Sequence, residues 1–235
     1  MKIKNFLILA LAILGFSNFS NAQKITKGYV KYEITDFTPA DPNDPQMNMV
    51  ASMIKGTVTK LYFDGDEAYT KISAMGGSQV TKILKNKDGS TDLYMDIMGQ
   101  KIHTKITKEE QEKLEKEQGD KKPEYVHHKD KTKKILGFDT HLVTVKPEEG
   151  KEEAEVELWV TDQIQTDGTV QQGWDNKDFE GFPLEYTIKI KDQFSMTTKA
   201  TEFKKDFDKS VFNFDKTGYK DLTIDQLKNM GGGGF

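Results

Sequence analysis

Apolar and polar residues alternate with a period of two along much of the chain. Val30, Tyr32 and Ile34 alternate with Tyr29, Lys31 and Glu33, and Ile102, Thr104 and Ile106 with Lys101, His103 and Lys105. The same rhythm returns at Val156–Leu158–Val160, Tyr186–Ile188–Ile190 and Phe194–Met196–Thr198. Side chains on a strand point to opposite faces in turn, so this rhythm predicts strands with one buried and one wet face. Such strands belong to antiparallel sheets. Asp64-Gly65, Asp88-Gly89 and Glu149-Gly150 fall between strand-like runs and predict turns, because Asp-Gly tolerates the positive φ of a tight hairpin. The count comes to about ten or eleven strands, mostly joined as a meander.

Three segments follow a helical rhythm instead. Asp44 at the N-cap and Pro45 at the first position open a run containing Met47, Met49, Val50, Met53 and Ile54, which ends at Gly56. Thr107 to Gln118 predicts a charged surface helix with a Thr-x-x-Glu capping box at Thr107 and Glu110. Thr223 to Met230 places Ile224, Leu227 and Met230 on one stripe, with Gly231 ending it. The polar stretch Gly119 to Asp130 reads as a connection between two β-rich halves. Neither half shows a core of its own, so residues 23–235 read as a single domain.

The N-terminus changes the setting. Lys2 and Lys4 precede the apolar run Phe6–Phe16, followed by a polar segment ending with Ser20 and Ala22. That is the three-part pattern of a secretory signal peptide over residues 1–22. The run is shorter than the roughly 20 apolar residues a membrane span needs, and no second candidate span follows. The chain has no cysteine, hence no disulfide and no site for a lipoprotein anchor. These features predict an exported, soluble protein of the periplasm or the extracellular space.

Charge narrows the partners. Without Lys2 and Lys4 the chain carries 32 lysines, no arginine and 38 acidic residues, a net charge of −6. Lacking the arginine fork that grips phosphates and guanine edges, it predicts no nucleic-acid binding.

Candidate chemistry is sparse. His127, His128 and Asp130 could bind a metal, but neighbouring side chains of an extended segment point to opposite sides, and no His-Glu-x-x-His accompanies them. Asp64, Asp66 and Glu67 lack the spacing of a calcium loop. Gly76-Gly77-Ser78 has no helix pattern behind it and does not make a nucleophile elbow. Phe235 follows glycines rather than an alternating strand, unlike the end of an outer-membrane barrel. No catalytic residue, metal or cofactor is predicted.

Methionine is the most informative residue type. Met47, Met49 and Met53 cluster in the first helix, and methionine suits adaptable apolar surfaces. That helix either gates an apolar groove or plugs one face of the sheet. Trp159, on the polar side of its strand, is either covered by a loop or lines a groove. Met47, Met49, Val50, Met53, Ile54 and Trp159 are therefore the candidate ligand-binding residues.

A family resemblance runs through the chain. Lys133-Lys134-Ile135-Leu136-Gly137-Phe138, then Leu158-Trp159-Val160-Thr161-Asp162, Gly181-Phe182-Pro183-Leu184-Glu185, and finally Ser210-Val211-Phe212 with Gly218-Tyr219-Lys220 occur in that order. This order resembles the exported domain-of-unknown-function family 4412 of the Bacteroidota. The Gly-x-Pro-Leu element is similar to the related Gly-Leu-Pro-Gly-Leu-Ile proteins, though Phe182 and Leu184-Glu185 depart from that spelling. The resemblance covers most of the chain after residue 22 and is clearest from Lys133 onward. It implies a mainly β (α+β) fold: a curved antiparallel sheet or half-barrel with short helices against its concave face. The periplasmic lipoprotein carrier and its outer-membrane receptor have such a sheet and hold acyl chains in it. The family brings no established activity. The expected function is thus a non-enzymatic binder of an apolar ligand or lipid acyl chain in the cell envelope. The alternative is a filled structural domain that binds an envelope protein partner, for example along an edge strand.

Overall fold

The computed structural model describes residues 24–117, 124–146, 154–166 and 180–230. Among them, twelve strands form one curved, unclosed sheet in the order β12-β6-β5-β4-β3-β2-β1-β11-β10-β9-β8-β7. Two meanders build it. The first runs through β1 (Lys27–Pro39), β2 (Val58–Asp64), β3 (Glu67–Ala74), β4 (Gln79–Lys85), β5 (Thr91–Ile97) and β6 (Gln100–Ile106). The second runs through β7 (Glu124–Ile135), β8 (Phe138–Lys146), β9 (Ala154–Thr161), β10 (Phe182–Ile190) and β11 (Phe194–Lys204). The two long strands β1 and β11 pair antiparallel at the centre and join the halves. β12 (Lys220–Asp221) adds a short parallel strand to β6.

The turns explain the meanders. Asp64-Gly65 and Asp88-Gly89 each place glycine at positive φ, 62° and 82°, between paired strands. Helix α1 (Pro45–Ile54) joins β1 to β2; the Asp44 carboxylate accepts hydrogen bonds from the amides of Gln46 and Met47. Such a cap contributes about 1 kcal/mol. Helix α2 (Lys108–Glu117) has its capping box: Thr107 N–H donates to Glu110 at 2.8 Å, and Glu110 N–H donates to Thr107 Oγ1 at 3.2 Å. Helix α3 (Ile224–Met230) is capped the same way by Thr223 and Gln226, a Thr-x-x-Gln box, and buries Leu227.

Two expectations need correction. The stretch Gly119–Asp130 is not all connection, because from Glu124 it forms β7, a full edge strand. Its inward residues Tyr125 and His127 are polar-tipped, and an irregularity between His128 and Thr132 breaks the alternation, which hid the strand. This strand and β12 raise the count to twelve. The turn expected at Glu149-Gly150 lies outside the described residues, as do residues 1–22.

The sheet curls toward the face that carries Val30, Tyr32, Leu61 and Phe63. Strands β2 and β10 lie three positions apart, about 14 Å on a flat sheet. Yet the rings of Phe63 and Phe182 meet with centroids 5.8 Å apart. Tyr32, on β1, reaches over the small Ala200 opposite it and donates its hydroxyl to Pro183 O on β10 at 2.9 Å. These residues, with Leu184, Ile135, Phe138 and Ile164, form the principal core at one end of the sheet. Gly28 makes the closure possible: a Cβ there would lie 2.9 Å from Phe63 Cζ and 3.0 Å from Phe203 Cε2. Phe63 is fully buried and has nowhere to move.

Replacing Gly28 with Ala should therefore cost about 1–3 kcal/mol through overpacking, read as a lowered urea midpoint. An unchanged midpoint would show that the two rings are not pinned over β1.

Candidate functional site

The inner face divides into two ends. At the core end it is closed by aromatic rings. At the other end, strand register lines up one apolar row across six strands: Phe37, Met196, Ile188, Val156, Val145 and Tyr125. All six are half-buried. The row beneath it, around Val143 and Leu158, is fully buried. The six-strand row is thus the less buried layer of this face.

The same end gathers methionine. Met47, Met49 and Met53 lie on α1, Met75 and Met98 in the β3–β4 and β5–β6 turns, Met95 near the end of β5, and Met196 near the start of β11. These are seven of the chain's nine methionines. Met49 is 63% exposed, Met53 43%, Met98 74% and the adjoining Ile97 41%. Helix α1 packs against β1 and buries none of its residues. Its Met47, Val50 and Ile54 are half-buried.

Trp159 sits apart from this rim. In register it stands opposite Leu142 and Glu185. The Lys133 ammonium lies 4.1 Å from its ring centroid and 2.6 Å from the Glu185 carboxylate. Trp159 is half-buried and packs against the principal core. The structure therefore keeps the five α1 residues together beside β1 and places Trp159 elsewhere. The six-strand row could not be read from the sequence; each strand's rhythm was legible, but the register aligning the strands was not.

On the outer face, the segment from Phe207 to Tyr219 covers Tyr62 of β2, Tyr69 of β3 and Tyr94 of β5. Phe207 meets Tyr62 edge-on at 5.3 Å, and Phe214 stacks on Tyr69 at 5.3 Å. Tyr94 takes Phe214 and Tyr219 edge-on, at 5.0 and 5.1 Å. Burial pushes the hydroxyls of Tyr69 and Tyr94 up to about 12. At the edge, His103 stacks on Tyr94 and places its ring nitrogens 2.6 Å from Asp221 and 2.7 Å from Asp92, tying β12 to the sheet. Lys209 pairs with Asp64 and fixes the start of the segment.

The histidines of β7 do point to opposite sides. His127 meets His141 at 3.0 Å, whereas His128 meets Thr144 at 3.0 Å. Among the described residues no group of three or more His, Asp or Glu could hold a metal ion. Asp64 and Glu67 are engaged by Lys209 and Lys87.

An open, curved antiparallel sheet with an apolar inner face defines a half-barrel scaffold. Three solved structures overlap with most of the chain. One is a domain assigned to outer membrane lipoprotein sorting in Vibrio parahaemolyticus (9% identity, 81% of this chain and 91% of that one). Another is a protein of the domain-of-unknown-function family 1329 from Desulfovibrio piger (8%, 85% and 93%). The third is the lipoprotein LppX of Mycobacterium tuberculosis (9%, 78% and 89%). Each aligns with a TM-score of 0.36, too low to bear on function. No family model and no curated protein matches the chain.

The His127–His141 contact carries a pH signature. Burial, and then the neighbouring His127 and Lys129, hold the His141 ring below the usual histidine range, against the opposing pull of Asp162. The unfolded chain then takes up this proton more readily than the folded one. Its contribution to stability is complete above the ordinary value of 6.5 and is lost as pH falls below it. Replacing His141 with Gln should flatten the fall in melting temperature between pH 7 and pH 5. An identical slope in the variant would remove His141 from the account.

Proposed function

We propose that this chain is a non-enzymatic binder of an apolar ligand with the shape of a lipid acyl chain. It is an exported envelope protein of the family-4412 type that its motifs resemble. The observation that carries this reading is the half-buried apolar row from Phe37 to Tyr125, which lies on the inner face at the end where seven methionines collect. An extended acyl chain laid across these strands would cover the part of these side chains that is still exposed. Burying such surface yields about 25 cal/mol per Å². Methionine side chains adapt to ligands of varied shape. Helix α1 suits a gate: it is capped by Asp44, hinged between Pro39 and Val58, and holds Met49 and Met53 outward.

The partner-binding alternative draws less support. The sheet edge at β7 carries Lys129, Lys131, Lys133 and Lys134, and lysines on an edge strand oppose strand addition.

The double substitution Met49→Asp with Met53→Asp separates a gate from a plug. A gate should lose at least tenfold in uptake of a fluorescent fatty acid, with stability changed by less than about 1 kcal/mol, as for exposed sites. A plug should lose several kcal/mol. Native mass spectrometry of protein purified without detergent should show an added mass of lipid size that organic extraction removes. A clean unliganded mass together with no fatty-acid uptake would exclude the ligand reading.

A further inference from the structure

The outer face carries a second feature, separate from the apolar row. Cross-strand register places Lys31 opposite Lys60, Lys60 opposite Lys71, and Lys71 opposite Lys82. Four adjacent strands, β1 to β4, therefore present lysine at one level, a span of about 14 Å. All four side chains are half-buried. Like charges directly opposite one another destabilise a sheet.

Several lysines of the second meander sit against carboxylates. Glu185 receives Lys133 at 2.6 Å and Lys199 at 3.3 Å, and Glu157 receives Lys189 at 3.3 Å. In the row only Lys31 has such a partner, Glu33 at 2.8 Å. Among the described residues Lys60, Lys71 and Lys82 form no ion pair. Lys82 instead lies over the Phe214 ring, 4.2 Å from its centroid, at the margin of the C-terminal segment. Burial and the neighbouring Lys71 and Lys101 hold its ammonium below the usual lysine range, against Asp215 and Asp96. Glu202, opposite Lys31, ends the row on the other side and is itself engaged by Lys204.

We propose that the row of Lys31, Lys60, Lys71 and Lys82 docks the protein on a membrane surface bearing anionic phosphate headgroups. A line of phosphates supplies the countercharges that the sheet omits. The row lies on the face opposite the apolar row, so docking and ligand uptake are separate properties.

The test uses the chain after residue 22 with vesicles of phosphatidylcholine, with and without phosphatidylglycerol. The protein should float with the anionic vesicles only, and added salt should release it. Each lysine near an anionic surface contributes about fivefold in binding. Replacing both Lys60 and Lys71 with Gln should thus weaken binding about thirtyfold, while the melting temperature stays level or rises. A control of equal net charge, Lys131→Gln with Lys191→Gln, should stay within about twofold. Fatty-acid uptake should be the same in all three proteins, which keeps this result independent of the ligand reading. Equal flotation with neutral vesicles, or an equal loss in the control, would overturn the proposal. So would capture of inorganic phosphate without vesicle binding.

Discussion

Phe63 lies across the backbone of Gly28 and meets Phe182 from the other half of the sheet, and the curvature depends on this contact. A flat twelve-stranded sheet would leave its apolar face in water. Bringing β2 against β10 shortens the inner face and gives Tyr32 a carbonyl partner on Pro183. It also converts one end of the face into a packed core. The seam between β1 and β11 bears the bend, and it holds two register irregularities, between Lys31 and Tyr32 and between Ile34 and Asp36. Bulges of this kind let a strand turn sharply without losing its neighbours.

The chain has no disulfide to support this arrangement. The C-terminal segment supplies cross-links of another kind. Its rings are placed against tyrosines on β2, β3 and β5, so one segment ties strands that are not sequence neighbours of it. Aromatic pairs contribute about 0.5–1.5 kcal/mol each beyond the area they bury. The Ser210-Val211-Phe212 and Gly218-Tyr219-Lys220 elements thus serve the architecture, carrying the covering segment over the outer face and into β12.

Local chemistry was legible in the sequence; long-range register was not. The alternation at Val30–Ile34, Val156–Val160 and Tyr186–Ile190 located β1, β9 and β10. Asp44-Pro45 and Thr107-x-x-Glu110 located two helices, because caps and turns depend on neighbours a few residues away. β7 was missed because Tyr125, His127 and His128 blur the contrast between its faces. The apolar row and the lysine row each draw residues from several strands. Nothing local in Met196 says that it stands beside Phe37, and nothing local in Lys60 says that it stands between two other lysines. Such alignments follow from hairpin lengths and bulges, where an error of one residue exchanges the two faces.

The two rows show how one sheet can separate two kinds of contact. An apolar surface left half-open invites association between copies, particularly along an uncovered edge strand. Here the edge nearest the row is β7, whose lysines resist strand pairing, while α1 stands at the rim next to β1. Charge is kept off the inner upper row and concentrated on the outer face, at the level of Lys31 to Lys82. From Tyr29 to Glu33 the side chains of β1 alternate, so β1 contributes Tyr32 to the inner face and Lys31 to the outer one. The period of two first seen in the sequence is therefore also what assigns the apolar row and the lysine row to opposite faces of one sheet, the first running from β1 to β7 and the second from β1 to β4.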